Sequence, residues 1–135
     1  MKAGRKLDAL IAKKIFCSEF EFDETIGDFI HRFDAKLYTT CPNYSTDEEA
    51  AREVSHRLDL IWRMGRSCDY SGYSISFLKN EKSLPWEIKL WDRYGRLKET
   101  KRVETLAFGT CLVALEVVKS LNAQDFYTYG YDPDL

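Results

Sequence analysis

Five basic residues cluster shortly before a predicted helix, and together they could bind an anion. They are Arg93, Arg96, Lys98, Lys101 and Arg102. The helix is predicted to begin at about Thr105, and a helix N-terminus with cations beside it favours a bound phosphate. Arg102 is the strongest candidate because it comes just before this helix start. The alternative is that the basic run forms the solvated face of a hairpin.

Residues elsewhere in the chain could contact the other parts of a nucleotide. Phe77 ends a predicted strand, where its ring could stack on a base, and Asn80 follows it and could hold a ribose or a phosphate. Arg57 falls inside the apolar stripe of a predicted helix, so its guanidinium must pair, reach solvent or face a polar cavity. The alternatives are core packing for Phe77 and a boundary position for Arg57. The predicted ligand-binding residues are Arg57, Phe77, Asn80, Arg102 and Thr105.

No catalytic or metal-binding pattern is recognisable in the sequence. The two histidines, His31 and His56, fall on separate predicted helices without a cysteine or carboxylate at metal-ligand spacing. The sequence contains no G-x-S-x-G, Walker-type or G-x-G-x-x-G motif. We therefore expect a protein that is not an enzyme and that has no cofactor. A small nucleotide hydrolase is the third possibility, after a binding protein and a protein-interaction module.

The composition is that of one globular domain. The 135 residues are 44% hydrophobic and 31% charged, with a formal net charge of -2 and neither repeats nor Pro- or Gly-rich linkers. We expect a single domain over 1–135, with its core in 4–121 and an aromatic tail at 122–135. The net acidic charge argues against nucleic-acid binding, and no apolar run is long enough to span a membrane.

The four cysteines indicate a reducing compartment. None of them forms a C-x-x-C pair and no signal peptide is recognisable, so we expect reduced cysteines in a cytoplasmic protein. A disulfide between Cys17 and Cys41 is the alternative.

Hydrophobic periodicity predicts a mixture of helices and antiparallel strands. Helices are expected at 4–16, 25–36, 45–64 and 105–121, and strands at 17–22, 73–77, 86–90 and 97–103. Asp8 is placed largely off the apolar face of the first helix. Ser45 is the predicted N-cap of the third helix, with Glu48 completing a capping box and Gly65 ending the helix. This order predicts an α+β fold in which helices pack on an antiparallel sheet of at least three strands.

The last predicted helix is apolar around most of its circumference. Such a helix is either deeply buried or also contacts a partner. A self-association surface and a core helix covered by the 126–135 tail are both consistent with the pattern. The tail carries Phe126, Tyr127, Tyr129 and Tyr131.

Three sequence blocks resemble the phage α-β-α sandwich family. The first is Gly4-Arg5-Lys6-Leu7-Asp8-Ala9-Leu10-Ile11-Ala12. The second is Tyr44-Ser45-Thr46-Asp47 followed by Ala50-Ala51 and Val54, and the third is Glu104-Thr105-Leu106-Ala107 with Cys111 and Ala114-Leu115. The blocks occur in the order of the family pattern and span residues 4–115. Residues 17–41 and the 122–135 tail depart from that pattern and could shape a pocket or an interface.

The resemblance implies an α-β-α layered sandwich and a phage-encoded protein in a bacterial host cell. Similar proteins include the type 1 Thoeris anti-defence sponges, which bind cyclic ADP-ribose isomers at a homodimer interface without cleaving them. The resemblance therefore implies a homodimer that sequesters a small cyclic nucleotide. A protein-interaction module that uses the apolar last helix and the aromatic tail is the alternative.

Overall fold

The computed structural model describes residues 2–63 and 69–121, which form three helices and two small antiparallel sheets. In chain order the elements are α1 (Arg5–Phe16), β1 (Glu21–Asp23), β2 (Asp28–Arg32), β3 (Tyr38–Thr40), α2 (Glu48–Arg63), β4 (Tyr70–Phe77), β5 (Trp86–Asp92), β6 (Leu97–Val103) and α3 (Leu106–Ser120). The predicted α+β class, with helices and an antiparallel sheet of three strands, is confirmed. The predicted helix end at Gly65 and the aromatic tail lie outside the described residues.

The main sheet is the antiparallel meander β4-β5-β6. The predicted turn between β5 and β6 forms around Gly95, which takes a φ of 79° that favours glycine. The Asp92 carboxylate accepts hydrogen bonds from the backbone N–H groups of Tyr94 and Arg96, both at 2.9 Å. One face of this sheet is apolar on β4 and β5 and includes the buried Ile88 and Leu90, while β6 adds the buried Val103 together with Glu99 and Lys101. The alternating residues on the other face are mostly polar: Ser74, Ser76, Glu87, Lys89, Thr100 and Arg102.

Helix α3 is the centre of the core. It contacts β4, β5 and β6 as well as α1 and α2. Gly109 allows the close approach to the sheet, since a Cβ atom there would lie 3.1 Å from Cγ2 of Val103 and 3.3 Å from Cδ1 of Ile88. Nine of the fifteen residues of α3 are buried, so packing within the domain accounts for its apolar circumference. This burial is consistent with a core helix, whereas the tail expected to cover it lies outside the described residues and self-association stays a prediction.

The predicted helix over 25–36 is wrong, because this segment contains β2, the central strand of the second sheet, β1-β2-β3. Residues 24–27 make a turn in which Gly27 has a φ of 77° and the Asp23 carboxylate accepts the N–H of Ile26 at 3.0 Å. Phe29 and His31 then lie on one face of β2, and Phe33 follows the strand at the next position of the same alternation. The predicted strand at 17–22 is observed as β1, shifted to Glu21–Asp23.

The predicted capping box of α2 is also wrong. The helix begins at Glu48, and the Asp47 carboxylate accepts the N–H of Glu49 at 3.1 Å. Ser45 is fully buried and bonds to α1 instead. Cys17 and Cys41 are both free thiols, so the Cys17–Cys41 disulfide is not formed. Desolvation raises the pKa of the buried Cys41 thiol to about 11. Within residues 2–63 and 69–121, no helix is both long and apolar enough to cross a membrane.

Candidate functional site

Arg102 ties strand β6 to the loop that joins β4 and β5. We call residues 78–85 the β4–β5 loop. The Nε and Nη2 groups of Arg102 donate to the carbonyl oxygen of Leu84 at 3.1 and 2.9 Å. Nη2 also forms an ion pair with Oε2 of Glu81 at 3.0 Å. The predicted phosphate-binding cation therefore already holds a loop in place, and part of its charge is balanced by a carboxylate.

Phe77 and Asn80 lie at the same end of the sheet as Arg102. The Phe77 ring is 56% exposed and its centroid lies 5.2 Å from that of Trp86, its partner in register on β5. Asn80 is exposed in the β4–β5 loop. Because Trp86 pairs with Val103 on β6, Arg102 belongs to the opposite face of the sheet from Phe77. A ligand that touches both must bind around the end of the sheet.

Thr105 is the N-cap of α3, as predicted. It has extended backbone angles, and its hydroxyl oxygen accepts the N–H of Phe108 at 3.1 Å. The hydroxyl therefore satisfies one of the otherwise unpaired donors of the first helical turn. This places the positive end of α3 close in the chain to Arg102, whereas the Thr105 side chain itself is engaged in capping.

Arg57 lies apart from these four residues. It is half-buried on α2, where its Nε donates to the carbonyl oxygen of Ile15 at 3.4 Å. Its guanidinium carbon lies 5.9 Å from the centre of the Phe16 ring. These contacts join α2 to the end of α1, whereas those of Arg102 join β6 to the β4–β5 loop. The structure thus groups Phe77, Asn80, Arg102 and Thr105 at one end of the sheet and separates Arg57 from them.

The rest of the basic run forms a solvated hairpin face. Arg93 pairs with Asp69 at 2.9 Å, Arg96 with Asp92 at 3.3 Å and Lys101 with Glu99 at 3.2 Å. Lys98 lies over the Tyr70 ring at 4.9 Å. Exposed pairs of this kind contribute little to stability, and the intervening carboxylates reduce the local positive potential. For these residues the hairpin alternative is the better description.

A polar network that sequence reasoning missed joins the start of α1 to the segment before α2. Asp8 is fully buried, so its predicted position off the apolar face is wrong. Its Oδ1 accepts the N–H of Ser45 at 2.7 Å and the Ser45 hydroxyl at 2.6 Å. The Ser45 hydroxyl oxygen in turn accepts the N–H of Gly4 at 2.8 Å. The buried carboxylate and hydroxyl are therefore satisfied by each other and by the backbone.

Arg5 supplies the positive charge of this network. Its Nη1 donates to Oδ2 of Asp8 at 3.0 Å, and its Nε and Nη2 bind both oxygens of the Asp28 carboxylate at 2.8 and 3.2 Å. Nη2 also donates to the carbonyl oxygen of Cys41 at 2.6 Å. The arginine holds the pKa of Asp28 below its usual value, chiefly through the side-chain hydrogen bond. Three chain segments, the start of α1, β2 and residues 41–43, are thus joined through one guanidinium.

All three blocks that carry the family resemblance take part in this region. Gly4, Arg5 and Asp8 come from the first block and Ser45 from the second. Cys111 of the third block is fully buried on α3, and desolvation raises its pKa to about 12, with a smaller contribution from the Asp8 charge. The motif residues are therefore architectural. The spacing of Asp8 from Ile11, Ala12 and Ile15 was the sequence signal that could have placed this carboxylate inside.

Within the described ranges, no group of three histidine, cysteine or carboxylate side chains could hold a metal ion. His31 and His56 are both exposed, His31 on β2 and His56 on α2. Comparison with protein-family models, with curated proteins and with solved structures gives no match for the chain.

Proposed function

We propose that this chain is a phage-encoded, non-catalytic binding protein that sequesters a small cyclic nucleotide of the cyclic ADP-ribose class. It acts in the cytoplasm of the bacterial host cell. The observation that carries the proposal is that the three blocks of the resemblance pack in one hydrophobic core, with Leu7 from the first, Val54 from the second and Cys111 from the third. Sequence blocks that define a fold are expected to pack together in this way. The proposed function follows from the phage α-β-α sandwich family, which these blocks resemble.

The end of the main sheet is the proposed ligand site. Phe77 offers an exposed ring for stacking on a base, and Asn80 offers an amide for a ribose hydroxyl. Nη1 of Arg102 makes no hydrogen bond to any residue in 2–63 or 69–121, so it can donate to a phosphate. A phosphate would also compete with Glu81 for Nη2. Binding therefore releases Glu81 from Arg102 while the bonds to Leu84 keep the guanidinium in place.

A homodimer would complete this site. Phe77, Asn80 and Arg102 can cover only one side of a ligand, whereas sequestration requires most of its surface to be removed from solvent. A second copy placed over the end of the sheet would supply the other side. Arg57 is no longer included in the proposed site because its contacts lie between α1 and α2.

Calorimetric titration with cyclic ADP-ribose isomers tests the proposal. We expect binding by the unmodified protein and affinities at least about tenfold weaker for Arg102→Ala and Phe77→Ala, the usual effect of truncating a central contact. Arg93→Ala is the matched control, because Arg93 is an exposed arginine paired with Asp69 away from this site. Absence of binding at high micromolar ligand would contradict the proposed function.

Recovery of the ligand distinguishes a binding protein from a hydrolase. After long incubation and denaturation of the protein, we expect chromatography to return the cyclic nucleotide intact. A linear product that accumulates with protein concentration would show catalysis instead.

A protein-interaction module is the second candidate, and the second sheet provides a specific observation for it. The exposed large apolar side chains of the described residues include Phe22, Phe33 and Leu37, all in or next to β1-β2-β3. The buried helix α3 no longer supports this alternative, and the aromatic tail lies outside the described residues.

A further inference from the structure

One face of the β1-β2-β3 sheet is aromatic. Phe22 pairs in register with Phe29, and their ring centroids lie 5.4 Å apart. Alternation along the chain puts Phe20, His31 and Phe33 on this same face. The centroid of the His31 ring lies 6.4 Å from that of Phe20 and 4.9 Å from that of Phe33. Phe22 and Phe33 are 55% and 59% exposed. We call these five residues the aromatic face.

The opposite face of β1 is acidic. Glu21 pairs in register with Ile30, so Glu19, Glu21 and Asp23 share the face that Ile30 occupies. These side chains, together with Phe22 and His31 of the aromatic face, line a hollow of about 390 Å³ that runs across β1 and β2. Arg32 also lines it, but its guanidinium is bonded to Asp23 and to the carbonyl oxygen of Ala35. Glu21 forms no ion pair with any described residue, which leaves its charge for another cation.

The segment around this sheet carries a strong charge imbalance. Residues 17–41 contain six carboxylates and only two cations, Arg32 and Lys36, whereas the whole chain is nearly balanced at -2. Arg5 and Lys13 of α1 pair with Asp28 and Glu19, and Arg32 pairs with Asp23, so Glu21, Glu24 and Asp34 are the carboxylates of this segment with no ion pair to a described residue. A surface with this surplus of negative charge repels phosphates and attracts basic groups. It is therefore unsuited to the nucleotide proposed for the other end of the molecule.

Strand β1 has an open edge. The strand order is β1-β2-β3, so β1 pairs with β2 on one side and with no other strand of the described chain. Open edges can accept a further extended segment through backbone hydrogen bonds. Side chains of an added strand would alternate between the two faces of the sheet.

We propose that the edge of β1 binds an extended segment of a partner protein in which basic and apolar residues alternate. The apolar side chains lie against Phe22 on the aromatic face, and the basic side chains lie beside Glu21 on the opposite face. The strand is short, so side-chain contacts supply much of the affinity and set the sequence preference. This inference does not depend on nucleotide binding, since it uses a different sheet and the opposite charge.

A labelled peptide in which lysine alternates with leucine is the probe, and fluorescence anisotropy is the measurement. We expect saturable binding that weakens with salt, and binding about tenfold weaker for peptides with serine in place of leucine or glutamate in place of lysine. A peptide N-methylated along one edge cannot donate the strand hydrogen bonds and is expected to bind poorly. Equal binding of all these peptides would overturn the proposal.

Matched protein variants locate the surface. Phe22→Ser and Glu21→Lys should each weaken peptide binding about tenfold or more. Tyr94→Ser removes a ring that is 75% exposed on the other sheet, and Glu24→Lys makes the same charge change in the turn after β1. Both controls should bind as the unmodified protein does. Unchanged binding by Phe22→Ser and Glu21→Lys would refute the proposal.

Sedimentation of the protein alone tests whether a second copy is the occupant. A dimer that Phe22→Ser and Glu21→Lys both dissociate would show that the edge of β1 pairs with another copy of this chain. That result would overturn the proposed basic partner. Sedimentation unaffected by either substitution, together with selective peptide binding, supports it.

Discussion

At the scale of single residues, the most consequential side chain is a buried carboxylate rather than a surface cation. Asp8 has no exposure to solvent and accepts hydrogen bonds from Ser45 and Arg5. Burial of a charge is costly unless it is paired and hydrogen-bonded. Because both conditions are met, the cost appears only when one partner is removed.

Asp8→Asn is expected to lower the free energy of unfolding by about 3 to 5 kcal/mol. The amide oxygen can still accept both hydrogen bonds from Ser45, but an NH2 group replaces Oδ2, so a donor faces Nη1 of Arg5 and part of the Arg5 charge is left without its partner. Urea unfolding monitored by circular dichroism measures the loss. Asp59→Asn makes the same change at an exposed position of α2 and should alter stability by less than about 0.5 kcal/mol. Equal stability of the two variants would contradict the role given to Asp8.

The residue scale also shows why a local motif was misread. Ser45 and Glu48 match a capping box, and this pattern depends only on sequence spacing. In the folded chain the Ser45 hydroxyl binds Asp8, which is 37 positions away, and Asp47 caps α2. A partner that arrives through tertiary structure cannot be recognised from local spacing. Thr105, whose capping bond is local, was predicted correctly.

At the scale of elements, the contact between α3 and the main sheet organises the core. Gly109 leaves no side chain between the helix backbone and the side chains of Ile88 and Val103. The helix therefore lies close to the sheet at this point, and its apolar side chains contact the sheet on one side and helices α1 and α2 on the other. Close-packed interiors tolerate added volume poorly.

Gly109→Val is expected to destabilise the protein by about 1 to 3 kcal/mol, because the new side chain overlaps Val103 and Ile88. The same substitution at Gly72 is the control, since a Cβ atom on that strand residue meets nothing within 4 Å. Thermal unfolding should show a lower melting temperature for the first variant alone. A loss of stability in both variants would attribute the effect to glycine replacement in general.

The elements differ in how far the sequence determined them. Strands β4, β5 and β6, together with α1 and α3, were predicted because their periodicity is unambiguous and their ends carry clear turn or cap residues. The segment 25–36 has apolar residues at spacings that suit a helix and also alternate as in a strand. Gly27, which adopts a positive φ, and pairing with β1 favour the strand. Pairing between strands cannot be recognised from one segment alone, so the periodicity of 25–36 gave the wrong prediction of a helix.

At the scale of the whole molecule, charge is distributed unevenly over a nearly neutral chain. The β1-β2-β3 segment is acidic, whereas the β5–β6 hairpin carries most of the basic run. Of the predicted site residues, Arg102 belongs to the basic run and Thr105 follows it in the sequence. The run could not show that Arg102 holds a loop, that its neighbours pair with carboxylates, or that Arg57 lies elsewhere. Those facts depend on strand register and on contacts between distant segments.

Acid is expected to destabilise the whole fold. The pKa values of Asp23, Asp28, Asp34 and Asp92 are all lowered, mainly by hydrogen bonds from backbone N–H groups or, for Asp28, from the Arg5 side chain. Groups with depressed pKa values stabilise the folded state above their ordinary pKa of about 3.9, and that stabilisation is lost as the pH falls through the folded value. The free energy of unfolding should therefore decrease below about pH 4.

Urea unfolding from neutral pH to about pH 3 measures this decrease. Asp92→Asn removes one of the four groups and should make the pH dependence shallower, whereas Asp59→Asn should leave it unchanged. Stability that stays constant down to about pH 3 would contradict the expectation.

The contact between α1 and α3 constrains how the chain folds during its synthesis. The apolar side chains of α1, including Leu7, Ile11 and Ile15, are buried in the core that α3 completes, about a hundred residues later in the chain. A ribosome adding about 5 to 20 residues per second needs about 5 to 20 seconds to cover that distance. During this interval α1 can contact β2 and α2, but it lacks the apolar surface of α3 that completes its core. Premature stop codons before α3 should therefore yield aggregation-prone fragments rather than a shorter folded domain.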